Sequence, residues 1–315
     1  MREIPIGEYI REHRQKKNMT IAKLADGICD ASTLSRLGRG VHFASRSKIS
    51  LLLQRLDLPE DRIIALVSAN DLEVRSLKRD IRAEVIRFER ADPKDHPALR
   101  EQILAKLKEL EALADEDDLI TKQYILSEEV TLGRPEGPYT PAQRQELLLQ
   151  ALRMTVPGFR LDRISQFRYG REEMTILNMI ARTLASEGKK EEAIDLYDQL
   201  LRNIERNNRE LDRFASQFCL IAHNYAISLG RAERYEDAIQ LAERGQEIGV
   251  SYGNYQFLPG FLAIKAGCYF FLGEREKSAS LYTQACHIYK AMGDEHNLKI
   301  IRQEGKDFLG LDISV

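Results

Sequence analysis

The chain has 315 residues, of which 43% are hydrophobic and 30% are charged, and its formal net charge is −2 at pH 7. This is enough material for two packed domains. No apolar stretch reaches the roughly 18 residues that a membrane-spanning helix needs, and the first residues lack the apolar core of a signal peptide. The cysteines have no C-x-x-C spacing, which predicts reduced core thiols in a cytoplasmic protein; they are Cys29, Cys219, Cys268 and Cys286.

The N-terminal segment predicts a helix-turn-helix. A helix from about 5 to 17 has one apolar face, and residues 20–40 then form two short helices across a tight turn. Thr20 is the expected N-cap of the first of these, which ends near Ile28, and Asp30 or Ser32 caps the second. In this motif the second helix lies in the major groove of DNA. Its outward side chains include Thr33, Ser35 and Arg36.

Two more helices complete the predicted head, residues 1–69. An apolar stripe runs through residues 49–56, and Pro59 is expected to begin a fifth helix with Ile63, Ile64 and Val67 inside. Through residue 70 there are 12 Lys and Arg against 8 Asp and Glu, a net charge of +4, whereas the remainder of the chain carries −6. A basic head on an acidic body suits a module that contacts phosphates at one end only.

Residues 5–67 resemble the Cro/repressor-type helix-turn-helix family, and within it residues 28–40 are most similar to the PlcR and Rgg-like (RNPP-type) regulators. Three positions depart from the family pattern. Relatives often carry Gln at Ile21 for a phosphate, a long polar residue at Ala31 for a base, and Glu at Gly38. The resulting candidate contacts to double-stranded DNA are Thr20, Lys23, Ser32, Thr33, Ser35, Arg36, Arg39, Arg46 and Lys48.

Residues 70–92 predict a linker helix. Five apolar residues recur within it at spacings of three and four, in a segment otherwise rich in charge. Such a stripe either packs on the body or pairs with a second copy of the chain, and the sequence does not separate these alternatives. The stripe consists of Val74, Leu77, Ile81, Val85 and Phe88.

Residues 93–315 predict a solenoid of tetratricopeptide (TPR)-like helix pairs, so the whole chain is expected to be all-α. A small residue marks the close crossing of two helices in each repeat, at Ala181, Ala226 and Ala266, and a turn and a second helix follow each time. The intervals of 45 and 40 residues exceed the usual length of about 34, which indicates long helices. A closing helix is expected from about Asp294 to Phe308.

The body also resembles the PlcR and Rgg-like regulators, in residues 151–159 and 172–194. The resemblance implies a right-handed superhelix whose concave side binds a short linear signalling peptide. It also implies a homodimer whose affinity for DNA changes when the peptide binds. Asn suits an extended peptide because its side chain supplies a donor and an acceptor. The candidate peptide contacts are Asn178, Gln217, Asn224 and Lys265, while Ile264 stands where relatives often have Asn.

Enzymatic function is not expected. The sequence contains no H-E-x-x-H pair, Gly-rich phosphate loop, G-x-S-x-G elbow or metal-ligand spacing, and no cofactor is predicted. Two functions remain. The first is a DNA-binding transcriptional regulator that senses a peptide. The alternative is a TPR protein-interaction scaffold with a weak DNA-binding head, which only the departures at Ile21, Ala31 and Gly38 favour.

Overall fold

A computed structural model describes most of the chain: residues 5–40, 44–58, 69–91, 93–114, 118–133, 139–207, 214–310 and 313. These residues form helices, turns and loops and contain no strand, which confirms the predicted all-α class. The predicted fifth head helix, from Pro59, lies outside them. Contacts divide the chain into two compact units, Met1–Ile180 and Ala181–Val315.

Short helices build the N-terminal part of the first unit, and longer ones follow. The helices of this unit are α1 (Ile6–Lys16), α2 (Ile21–Ala25), α3 (Ala31–Leu37), α4 (Arg46–Arg55), α5 (Ala69–Arg90), α6 (His96–Leu113), α7 (Leu119–Leu132), α8 (Pro141–Thr155) and the first part of α9 (Arg171–Ser186). Short 3₁₀ segments occupy Pro93–Asp95 and Leu161–Gln166.

A compact core holds the four head helices together. The residues that the 3.6-residue periodicity places inside, such as Leu24, Leu34 and Leu52, are at most 4% exposed. They form one cluster with Ile10 from α1, and Ile120 of α7 joins the same cluster. The head therefore shares its core with the body helix that it touches.

The first helix of the predicted motif is shorter than expected. It ends at Ala25 rather than near Ile28, because Gly27 adopts a left-handed φ of +69° and turns the chain. Thr20 caps this helix as predicted, since its hydroxyl accepts the Lys23 N–H at 3.1 Å. Asp30 occupies the N-cap position of α3 without a side-chain capping bond.

Gly27 also marks a close approach between the head and α8. A Cβ at this position would lie 1.7 Å from the carbonyl oxygen of Thr155. We expect Gly27→Ala to lower the free energy of unfolding by about 3 kcal/mol, because left-handed strain and a backbone clash add. Denaturant unfolding measures this. Gly293→Ala is the matched control, because φ is +67° there and a Cβ would meet no described atom within 4 Å; it should cost about 1 kcal/mol. Equal costs would contradict the close approach.

The linker helix α5 packs on the body, which settles the alternatives left open by its sequence. Its inward residues Ile81 and Phe88 are 0% and 2% exposed, and the stripe forms one core cluster with residues of α6 and α7. Tyr124 of α7 donates its hydroxyl to the Lys78 carbonyl at 3.2 Å. The stripe is thus covered within one chain.

The second unit consists of the end of α9 and a run of long helices. They are α10 (Lys190–Asn207), α11 (Ala215–Arg231), α12 (Tyr235–Ser251), α13 (Leu258–Phe271), α14 (Arg275–Ala291) and α15 (Glu295–Leu309), with a 3₁₀ turn at Tyr255–Phe257. Each of α10 to α14 packs against the next helix in sequence. Ala226 and Ala266 are fully buried, as the repeat pattern requires. Asp294 caps the closing helix by accepting the Asn297 N–H at 3.2 Å.

No helix of the described residues is long and apolar enough to span a bilayer. The cysteines are free thiols, three of them buried and Cys29 partly so. The same part of the chain contains no group of three or more His, Cys, Asp or Glu side chains placed to hold a metal ion.

Candidate functional site

The predicted DNA-contacting residues of α3 lie on the side of the helix opposite its core-facing leucines. Leu34 and Leu37 are 4% and 3% exposed and face the core. Ser32 and Arg36 are exposed, and Thr33 and Ser35 are half-buried. Arg39, just beyond the helix, is also exposed and donates its Nε–H to the Ser35 carbonyl at 3.4 Å. A strip of hydroxyl and guanidinium groups therefore lies on the side of α3 that faces solvent.

The remaining predicted residues are divided between the surface and the interior. Thr20 and Lys23 are exposed at the start of α2. Arg46 begins α4, but its side chain lies outside the described residues. Lys48 is only 6% exposed. Of the predicted DNA contacts whose side chains the structure describes, Lys48 is therefore the least accessible, and its contact with a phosphate stays a prediction.

The predicted peptide contacts fall in both units. Asn178 lies on α9 in the first unit and is 2% exposed. Gln217 and Asn224 lie on α11 in the second unit, seven residues apart, which puts them on one helix face about 10 Å apart along the axis. The Oε1 atom of Gln217 is buried and accepts no hydrogen bond from the described residues. A buried acceptor of this kind is available to a ligand N–H.

The two asparagines do not occupy equivalent repeat positions. Asn178 precedes the crossing residue Ala181 by three residues, whereas Asn224 precedes Ala226 by two. The residue of the second repeat equivalent to Asn178 is therefore His223. Because a one-residue step on a helix rotates a side chain by about 100°, the two asparagines need not serve one ligand in the same way.

Lys265 of α13 is 9% exposed and donates to the Gln246 side-chain oxygen of α12 at 3.0 Å. Its ammonium thus makes a hydrogen bond to a neutral group in a partly dry environment. Burying a charge is costly unless it is paired. This position therefore favours a negatively charged or carbonyl group as a further partner for Lys265.

His223, beside Asn224, is held neutral. Desolvation by burial lowers the pKa of His223 to about 4, although a hydrogen bond with Asn224 opposes the shift. Its ring contacts the rings of Phe257 and Phe261, with centroid distances of 5.7 and 5.8 Å. A neutral imidazole among aromatic rings serves packing at neutral pH.

This environment predicts a pH-dependent stability. Because the pKa is lower in the folded state (about 4) than the usual 6.5, only the unfolded chain takes up the proton as the pH falls from 6.5 towards 4. The contribution of His223 to the free energy of unfolding is therefore complete above pH 6.5 and is lost as the pH falls from 6.5 towards 4. We expect about 2 kcal/mol of loss at pH 5 from this group. Urea unfolding of His223→Gln between pH 5 and 7.5 should lack this component, whereas the control His287→Gln, at an exposed site, should retain it. An unchanged pH profile in His223→Gln would contradict the assignment.

A polar network joins the head to the body within the first unit. Arg55 of α4 donates to the backbone carbonyls of Leu24 and Thr155, each at 3.2 Å, and to that of Asp26. The Thr155 hydroxyl donates to Oε1 of Glu173 at 2.6 Å. Burial lowers the pKa of Arg55, and the nearby Glu173 opposes that shift. Charge and hydrogen bonding thus connect α4, α8 and α9.

Glu173 is the centre of this network and is 1% exposed. Its second oxygen accepts the Gly170 N–H at 2.7 Å, at the start of α9. Gln123 of α7 donates to both the Thr155 hydroxyl and the Ala151 carbonyl, at 2.7 and 2.9 Å. Thr155 therefore connects the first turn of α9, through Glu173, with Arg55 of the head.

The network is largely hidden in the amino-acid sequence. One signal was present: Glu173 stands at the third position of α9 and closes back on the N-cap backbone, as in half of a capping box. Arg55 and Thr155 gave no such signal, because their partners, backbone carbonyls and the Glu173 carboxylate, lie more than 15 residues away. Only the folded chain brings them together.

A profile of the RNPP family C-terminal domain matches residues 148–310. A search of curated proteins found no match.

Several solved structures share the fold. PlcR of Bacillus thuringiensis, in complex with the peptide PapR7 and DNA, is similar with a TM-score of 0.60 and 17% identity, covering 94% of this chain and 98% of that one. ComR from S. thermophilus, in complex with DNA and its signalling peptide ComS, is similar with a TM-score of 0.53 and 16% identity, covering 97% of this chain and 100% of that one. Apo ComR from Streptococcus vestibularis gives 0.52 and 14%, covering 97% and 98%. At these identities the likeness establishes the fold.

Proposed function

The chain belongs to the RNPP family, and from this premise we propose that it is a DNA-binding transcriptional regulator that senses a short signalling peptide. In this proposal residues 1–69 bind DNA and residues 93–315 bind the peptide and dimerise. Residues 70–92 link these two domains. The protein acts in the cytoplasm as a homodimer and is not an enzyme.

One observation carries the DNA-binding part. The helix pair α2 and α3 is buried on its apolar side and presents Ser32, Arg36 and Arg39 to solvent. Guanidinium groups bind guanine edges and phosphates in two-point contacts, and small hydroxyls contact either bases or phosphates. A basic head supplies the sequence-independent attraction to the duplex.

The solved relatives support the peptide part. PlcR and ComR were each determined together with DNA and a peptide, and they share the fold of this chain along nearly its whole length. In this chain we propose Gln217, Asn224 and Lys265 of the second unit as peptide contacts, and Asn178 of the first unit as a separate candidate. Two features favour a polar ligand in the second unit: the buried oxygen of Gln217 accepts no hydrogen bond from the described residues, and Lys265 has a neutral partner.

The polar network supports a route from ligand to DNA. Asn178 lies five residues after Glu173 on α9. Glu173 accepts a hydrogen bond from the Thr155 hydroxyl, and the carbonyl of the same threonine accepts one from Arg55. A peptide that displaces α9 would act on the head through these bonds. The change in DNA affinity cannot exceed the difference in the peptide's affinity for the two states.

Peptide binding tests the proposal. We expect a short hydrophobic peptide secreted by the source organism to bind the full-length protein in calorimetry and to raise its melting temperature. Gln217→Ala and Asn224→Ala should weaken binding about tenfold, the loss typical of one hydrogen bond in a buried site. The control Gln240→Ala, at an exposed position on α12, should bind as the wild type does. If no such peptide gives heat or a shift, the sensing role is contradicted.

A further inference from the structure

A small surface pocket of about 90 Å³ lies in the head, between α1, α2 and α3. Three arginines line it: Arg11 and Arg14 of α1, and Arg39 after α3. Ile21 forms part of its apolar wall, and Ser35 and the backbone of Gly38 also border it. Three cationic side chains around one small cavity repel one another unless an anion is present.

Each arginine has spare hydrogen-bonding capacity among the described contacts. Arg14 donates one N–H group to the Met19 carbonyl at 2.6 Å, and Arg39 donates only its Nε–H to the Ser35 carbonyl. Arg11 makes a long ion pair of 3.6 Å with Glu8, and both side chains are about two-fifths exposed. Because a guanidinium has five N–H donors, these contacts leave several donors for a ligand.

We propose that this arginine-lined pocket binds one DNA backbone phosphate, outside the strip of α3. The inference rests on the proposed DNA-binding function. Ser35 and Arg39 belong to both the pocket and the strip, so a duplex lying on α3 brings its backbone to the pocket. Two-point hydrogen bonding from guanidinium groups matches the oxygens of a phosphodiester. Arg11 and Arg14 then become DNA contacts, although they lie before the helix-turn-helix segment.

The pocket exists partly because position 38 has no side chain. A Cβ on Gly38 would meet its nearest described atom, Cβ of Arg11, at 3.5 Å, which is ordinary contact. The backbone there is right-handed helical, with φ −64° and ψ −15°, so Glu or Gln adopts this conformation without backbone strain. Gly38→Glu and Gly38→Gln are therefore a matched pair that fills the same space with and without a negative charge.

Duplex titrations at several salt concentrations test the inference, using the full-length protein and its selected DNA sequence. Arg11→Gln should weaken binding about tenfold on specific and nonspecific duplexes alike, and should reduce the slope of log affinity against log salt by about one. The control Lys16→Gln removes the same charge from an exposed site on α1 outside the pocket and should change both quantities less. Gly38→Glu should weaken binding about tenfold more than Gly38→Gln.

A duplex with one uncharged methylphosphonate, moved along each half-site, identifies the phosphate itself. At one position the methylphosphonate should lower the DNA affinity of the wild type about tenfold. At that position it should not lower the affinity of Arg11→Gln any further. Equal penalties in both proteins at every position, or equal affinities for the two Gly38 variants, would overturn the phosphate site while leaving DNA binding intact. A wild type that binds no duplex selectively would overturn the proposed function and the site with it.

Discussion

Arg55→Leu is expected to lower the free energy of unfolding by about 4 kcal/mol. The guanidinium is the donor to the carbonyls of Leu24, Asp26 and Thr155, and a leucine leaves these oxygens without that donor in a partly buried contact. Each unsatisfied buried acceptor costs about 1–3 kcal/mol, and Glu173 also loses the compensating charge nearby. Chemical denaturation measures the change.

A surface arginine of the same unit provides the control for this effect. Arg153 of α8 pairs with Glu146 at 3.6 Å, with the side chains 47% and 70% exposed. Arg153→Leu should change stability by less than about 1 kcal/mol, as exposed ion pairs do. If Arg55→Leu were equally mild, the head would not be held to α8 by this side chain.

Arg36→Ala is expected to weaken binding to the selected DNA sequence about 30-fold while leaving the fold intact. Arg36 is exposed on α3, so its removal costs no core packing, whereas one two-point contact to a base contributes about 1–3 kcal/mol of discrimination. Nonspecific duplex binding should fall much less, because there only one cation is lost. Fluorescence anisotropy with specific and scrambled duplexes separates the two losses.

The same substitution outside the head tests whether the effect is local. Arg202 of α10 is exposed and pairs with Asp198. Arg202→Ala should leave both affinities unchanged, and circular dichroism should show normal helix content for both variants. An Arg36→Ala protein that folds and binds DNA as tightly as the wild type would show that α3 is not the recognition helix.

Much of the fold followed from the sequence because the apolar periodicity of each helix is strong. The stripe that ends at Phe88 became a buried helix face, and the small residues Ala226 and Ala266 are fully buried. The resemblance to RNPP-type regulators is confirmed by the family match. These features are local in sequence or repeat at regular intervals, so a single chain reveals them.

Features that depend on tertiary contact were not predictable in this way. Lys48 has the sequence context of an exposed helical lysine, yet it is 6% exposed. The end of α2 at Ala25 reflects the turn at Gly27 and its contact with Thr155, which is 128 residues further along the chain. The arginine pocket likewise needs three separate segments to meet.

Selection of bound sequences from a random duplex pool tests the central claim most directly. The purified full-length protein is used at about 150 mM salt, where charge screening is already substantial, with and without a peptide extract of the source organism. We predict a symmetric motif whose two half-sites lie about one helical turn apart, as a dimer requires, with a yield that the peptide changes. Weak, salt-sensitive retention of DNA without any enriched motif, both with and without the peptide extract, would contradict the role as a transcriptional regulator. It would favour a protein-interaction scaffold.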